Sequence, residues 1–155
     1  MGRLQDKVAI ITGAGQGIGL AYAHRFLDEG AKVVVAEIDE SRAAAAMAGL
    51  EGRGEVIAVR TDVADEASAQ ACVDAAVARF GTVDILVNNA ALYYDIDNFD
   101  ASLAYLQKVT AVNQHGAWIM AKAAAPVMAA QRWGRIVNQS SGAAYAYSFP
   151  AFGDE

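Results

Sequence analysis

The sequence predicts an α/β fold: a doubly wound parallel sheet of five strands with helices on both faces. Three observations carry that prediction. Short β-branched runs alternate five times with longer segments of helical period. The runs are continuously apolar, as strands covered on both faces require. A glycine-rich turn, Thr12-Gly13-Ala14-Gly15-Gln16-Gly17-Ile18-Gly19, joins the first run to the first helical segment.

Lys7 to Ile11 reads as the first strand. After the turn, Ile18, Tyr22, Ala23, Phe26 and Leu27 share one helical face, and Gly30 ends that helix. Lys32 to Ala36 is the second strand, and Asp39 can cap a helix that runs through the alanine tract to Leu50. Glu55 to Val59 is the third strand. Asp65 opens the next helix, which gathers Cys72, Val73, Ala76, Val77 and Phe80 on one face. Gly81-Thr82 turns the chain into a fourth strand, Val83 to Val87. The more polar, aromatic segment from Leu92 to Asp100 reads as a loop. A long helical stretch follows from Ser102 to Gln131, with Pro126 disturbing it, and Arg135 to Asn138 is the fifth strand. No repeat, low-complexity tract or linker interrupts the series. Residues 1–155 therefore read as one domain of Rossmann type, a half and a little more.

Composition limits the function. The chain of 155 residues is 55% hydrophobic and 19% charged, an ordinary globular balance. Its formal charge of −6 argues against nucleic acid or an anionic membrane as partner. No signal pattern opens the chain and no apolar run reaches transmembrane length, so a cytoplasmic location is expected. The single cysteine, Cys72, sits at helical spacing among apolar residues and reads as a core thiol. His24 and His115 have no metal-ligand spacing, and no metal is expected.

The glycine turn carries the first functional signal. The G-x-G-x-x-G spacing fails from either Gly13 or Gly15; T-G-x-x-x-G-x-G fits, with Gly13, Gly17 and Gly19 in the glycine places. Gly13 permits a sharp exit from the strand, Gly17 lets backbone approach a pyrophosphate, and Gly19 lets helix pack closely on sheet. The free N–H groups of the helix N-terminus then face the phosphates.

With that turn the sequence resembles the short-chain dehydrogenase/reductase family, and further motifs follow in family order. Asp62-Val63 comes after the third strand, Asn88-Asn89-Ala90-Ala91 after the fourth, Asn113 within the long helix, and Ser140-Ser141 after the fifth. The resemblance covers essentially the whole chain. It implies a dinucleotide site contacted by Thr12, Gly13, Gly15, Gln16, Gly17, Ile18 and Gly19, by Asp62 and Val63 at the adenine, and by Asn89 and Ala90 near a ribose. Asp62 could also simply cap a strand end, and the two asparagines could mainly tie the sheet together. Ser141 is similar to the family's catalytic serine and Asn113 to its catalytic asparagine. Departures occur too: Ala91 replaces the last glycine of the family's N-N-A-G.

Glu37 ends the second strand 24 residues after Gly13, within the range of an acid that accepts from ribose hydroxyls. No cation follows at 38 or 39, and Gln16 stands where NADP-preferring relatives often carry one. NAD(H) is the expected cofactor, with Asp39 as a competing carboxylate better suited to capping. The expected reaction is interconversion of a secondary alcohol and a ketone by hydride transfer. In the family a tyrosine serves as acid/base, assisted by a lysine four residues later. Tyr145 and Tyr147 follow Ser141 too closely, and Phe149 and Ala151 stand where the lysine belongs. The pattern predicts a chain truncated before that motif and inactive by itself. The alternatives are a non-catalytic NAD-binding module and a nucleotide-sensing interaction protein. The edge left by the fifth strand predicts a homo-oligomer, with Ala117, Ala121, Ala124 and Ala125 offering a small-residue face. Leu92-Tyr93-Tyr94, Tyr145 and Tyr147 suggest an aromatic-lined substrate entrance.

Overall fold

The computed structural model describes residues 2–92 and 102–141. The strands are β1 (Val8–Thr12), β2 (Lys32–Glu37), β3 (Val56–Arg60), β4 (Ile85–Asn88) and β5 (Arg135–Asn138). The helices are α1 (Gly17–Asp28), α2 (Glu40–Leu50), α3 (Glu66–Phe80), α4 (Leu103–Thr110) and α5 (Gly116–Ala130). The sheet is parallel throughout, in the order β3-β2-β1-β4-β5. No helix among the described residues is long and apolar enough to cross a membrane.

Period-two alternation divides the central strands between two cores. Ile10, Val34 and Leu86 face one side, packed with Cys72, Val73 and Ala76 of α3 and Met120 and Ala124 of α5. Ala9, Ile11, Val33, Val35 and Val87 face the other, against Ala23 and Leu27 of α1 and Ala46 and Leu50 of α2. Both faces of the central strands are apolar because both are covered, and Cys72 is fully buried, as its spacing predicts.

The helix ends follow the expected chemistry. Asp39 accepts from the Arg42 N–H at 2.9 Å, and Asp65 accepts from the Ser68 N–H at 2.6 Å. Gly81 closes α3 in the left-handed conformation, φ 87°.

Three sequence expectations need correction. The fourth strand begins at Ile85 rather than Val83, because the Asp84 carboxylate takes the Val8 N–H at 2.9 Å, outside the backbone ladder. The long helical stretch runs unbroken but is not α-helical throughout. A π-helical turn, Ala111–His115, separates α4 from α5, whereas α5 itself runs through Pro126 to Ala130. The alanines expected to form one oligomer face diverge: Ala124 is fully buried in the core, Ala121 packs against it, and Ala125 is exposed. β5 is the edge strand among the described residues, with Ile136 and Val137 respectively 40% and 50% exposed.

Candidate functional site

From β1 the chain winds outward through β2 to β3, then returns to place β4 on the other side of β1. The connections leaving β1 and β4 therefore diverge, opening a crevice at the carboxyl ends of the strands. A cavity of about 630 Å³ occupies it. A second hollow, about 500 Å³, lies between α5 and the start of β5 and contains none of the motif residues.

The glycine turn forms one wall. Gly13 has φ 64° and Gly17 φ 55°, a region open to glycine at little strain. A side chain on Gly13 would stand 2.9 Å from the Ala90 Cα; among the described residues, one on Gly17 would meet nothing within 4 Å. At Gly19 a Cβ would fall on the Gly13 carbonyl and 2.6 Å from Asn89 Nδ2. Gly19 thus brings helix, turn and β4 exit together, while Gly17 leaves the α1 N-terminus bare. Gln16 and Ile18 also line the cavity.

The opposite walls are Asp62 and Val63 after β3, Asn89 to Leu92 after β4, and Val112 in the π-helical turn. One Asp62 oxygen accepts from the Ala64 N–H at 2.9 Å. Asn89 Nδ2 donates to the carbonyls of Thr12 at 3.0 Å and Gly13 at 3.3 Å, so its side chain braces the glycine turn. Asn88 faces away and ties the sheet: its Nδ2 donates to the Ala117 carbonyl and to Asn138 Oδ1.

Two expected contact residues lie behind the wall. Thr12 is 1% exposed, and its hydroxyl donates to the Val87 carbonyl at 3.3 Å and accepts from the N–H groups of Asn89 and Ala90, both at 3.0 Å. Gly15 donates its N–H to Glu37 Oε2 at 3.0 Å. Glu37 does line the cavity, yet it is only 4% exposed. Its Oε1 accepts from Ile38 and Asp39 N–H groups at 3.0 and 3.2 Å. A carboxylate offers about four lone-pair sites, so three backbone donors leave one for a ligand.

Asn113 sits in the π-helical turn, an irregularity often found at functional sites. Its Oδ1 accepts from the Leu92 N–H at 2.7 Å and its Nδ2 donates to the Leu92 carbonyl at 3.0 Å. Ser141 lies three residues beyond Asn138, which pairs with Asn88 at the ends of β5 and β4. Tyr93, Tyr94, Tyr145 and Tyr147 lie outside the described residues.

Two cations on the cavity wall escaped the sequence reading. Arg42 arrives from the first turn of α2, 3.4 Å from Asp39; the signal was its position three residues after the cap. Lys108 arrives from α4, one turn before Val112, and only the path of α4 across the cleft reveals it. The Asp39 carboxyl is held down at about 2, first by the Arg42 N–H that it caps and then by the Ser41 hydroxyl.

A glycine-rich turn feeding a helix N-terminus at the switch point of a parallel sheet defines a Rossmann-type architecture. Comparison with known proteins narrows the class: the sequence pattern of the short chain dehydrogenases matches residues 7–152, and the chain belongs to that family. It is 48% identical over 147 residues to an uncharacterized oxidoreductase of Mycobacterium tuberculosis, covering 92% of this chain and 59% of that one. It is 42% identical over 140 residues to the galactitol 2-dehydrogenase of Agrobacterium fabrum, covering 90% and 54%. A short chain dehydrogenase/reductase from Burkholderia phymatum, solved in complex with NAD, superposes with a TM-score of 0.88 at 38% identity, covering 97% and 54%. The chain thus spans a little over half the length of these relatives.

Proposed function

We propose that the cleft binds NAD(H) and that the chain is the nucleotide-binding part of an oxidoreductase interconverting a secondary alcohol and a ketone. The observation that carries the reading is the bare N-terminus of α1 beside Gly17, where, among the described residues, an added Cβ would meet no heavy atom within 4 Å beyond its own helix and chain neighbours. Its backbone donors are open to a pyrophosphate. The NAD complex of the Burkholderia relative and the polyol named in the galactitol 2-dehydrogenase support the cofactor and the substrate class.

In this reading Asp62 and Val63 hold the adenine end, and the remaining lone pair of Glu37 accepts from a ribose hydroxyl. The same buried carboxylate opposes a 2′-phosphate: at 4 Å and an effective dielectric of 20 each pair of like unit charges costs roughly 4 kcal/mol. Asn89 and Ala90 border the second ribose. Bound nicotinamide supplies the hydride donor or acceptor. Ser141 then holds the substrate oxygen, and Asn113 fixes the cleft wall at Leu92. The support for homo-oligomer assembly is the exposure of Leu103, Leu106 and Trp118 on α4 and α5; a monomer in light scattering overturns it.

No tyrosine in the sequence has a lysine four residues on. Loss of acid/base assistance alone lowers rates roughly 10²- to 10⁴-fold. The second reading is a non-catalytic NAD-binding module. Calorimetric titration with NADH and NADPH tests the cofactor: NADH binds roughly tenfold tighter or better if the carboxylate argument holds. Tighter NADPH binding, or no binding of either, overturns it. Turnover of secondary alcohols matching a full-length relative would refute inactivity.

A further inference from the structure

The segment leading to Ser141 is fastened on both faces of the sheet. The ladder between β4 and β5 ends where the Gln139 N–H donates to the Asn88 carbonyl at 2.9 Å. Side chains alternate across that end. Asn138 faces α5, its Oδ1 accepting from Asn88 Nδ2 at 2.9 Å. Gln139 accordingly faces α1, and there its Oε1 accepts from the Tyr22 hydroxyl at 2.6 Å. Its Nε2 donates to the Ser140 carbonyl at 2.8 Å. One end of the carboxamide thus holds the cofactor-side helix, and the other holds the peptide that leads into Ser141.

Tyr22 is a stable anchor for this bond. It is half-buried, and its ring meets Phe26 at 6.4 Å with a 55° tilt, while Phe26 packs on the core between the sheet and α1–α2. Tyr22 does not line the cavity. It lies five residues after Gly17, on the same helix whose N-terminus opens into the nucleotide cleft. The bond joins residues 117 apart in sequence, and every residue of β5 is exposed, so the strand end draws rigidity from ties of this kind.

We infer that Tyr22 and Gln139 are positioning residues for Ser141, tying its backbone to the nucleotide-binding helix so that occupancy of the cleft steadies the serine. The inference rests on the NAD(H) reading of that cleft. A ligand on the N-terminus of α1 restrains the helix, and the Tyr22 hydroxyl carries the restraint to Gln139 and the Ser140 peptide. Neither residue lines the cavity, so the pair alters placement of the serine with little effect on affinity.

Amide hydrogen exchange read by NMR on the 155-residue chain, with and without saturating NADH, tests the tie. In the parent protein NADH slows exchange at Ser140 and Ser141 by about fivefold, the change carried by one hydrogen bond of ordinary strength. Tyr22→Phe removes one hydroxyl and keeps the ring; it binds NADH within about twofold of the parent, and the slowing at Ser140 and Ser141 disappears while that at Gly17 and Ile18 remains. Gln139→Leu, on the exposed strand end, gives the same result and guards against a folding defect at position 22. Slowing at Ser141 that persists in both variants overturns the inference, as does a parent that binds NADH with no change there. A parent that fails to bind NADH refutes the cofactor reading instead. In that event the tie stands or falls on ligand-free exchange at Ser141, which Tyr22→Phe must accelerate.

Discussion

Thr12→Val keeps the side chain's shape and branching and deletes one hydroxyl. That hydroxyl links the end of β1 to the backbone N–H groups of Asn89 and Ala90, accepting from both at 3.0 Å. In the variant two donors face a methyl group. An orphaned buried donor costs about 1–3 kcal/mol, and half-burial of Asn89 and Ala90 places each toward the lower end. The 3.3 Å bond to the Val87 carbonyl is long and adds little. Two orphans give about 2–4 kcal/mol, from which the added methyl recovers about 0.8 kcal/mol. The expected net loss is therefore about 1–3 kcal/mol, a large share of a marginal fold. Urea unfolding followed by far-ultraviolet dichroism measures it, with NADH titration in parallel. Thr12→Ser keeps the acceptor and loses only the methyl, so it must be the milder variant. A Val variant within about 0.5 kcal/mol of the parent, or a Ser variant as unstable as Val, refutes the role assigned to the hydroxyl.

Gly19→Ala places a methyl on the Gly13 carbonyl and beside Asn89 Nδ2, so the glycine turn must shift; NADH affinity falls at least about tenfold, and unchanged affinity by calorimetry sinks the packing argument. The Asp39 carboxyl sits at about 2 in the folded chain against its ordinary 3.8. A folded value below the unfolded one means that its capping contribution is whole above about pH 4 and is lost as pH falls through about 2. Asp39→Asn cannot ionise, so the stability difference between parent and variant shrinks across that window; a flat difference in urea midpoints contradicts it. Burial pushes the Cys72 thiol up, outweighing the lowering effect of its hydrogen bond with Thr61, and the side chain is fully buried. A thiol-specific chromogenic reagent should leave the native protein unmodified at neutral pH and label it once urea unfolds it; prompt native labelling refutes the burial.

The fold was legible because its signal is local. Apolar runs such as Val33 to Val35 need only their own residues to declare a strand with both faces covered, and Asp39 and Asp65 declare caps by the chemistry of one side chain. The site was legible to the extent that turn chemistry is local as well, as at Gly13 and Gly17. Contacts set by tertiary geometry were hidden. Lys108 enters the cleft only through the path of α4, whereas Arg42 had a local signal in its place three residues after the Asp39 cap. The π-helical turn at Asn113 left no mark either, because its residues suit an ordinary helix while the pull on Asn113 comes from Leu92, 21 residues away.

Thr12 and Gly15 expose a deeper reason why a motif does not translate directly into ligand contacts. Both were expected to contact the dinucleotide, yet the Thr12 hydroxyl serves the backbone of Asn89 and Ala90, and Gly15 serves the Glu37 carboxylate. Glu37 itself receives three backbone donors before any ligand arrives. Asn89 completes the arrangement from the other side by donating to Thr12 and Gly13. The two turns at the switch point thus hold each other, and the Glu37 carboxylate is fixed in part by the glycine turn. Such mutual bracing settles the geometry in advance of binding and reduces the ordering that a ligand must impose. Under the proposed NAD(H) reading, cofactor preference in this cleft is a property of the braced loop. In that reading Glu37 would discriminate by charge only because Gly15, Ile38 and Asp39 keep that charge in place.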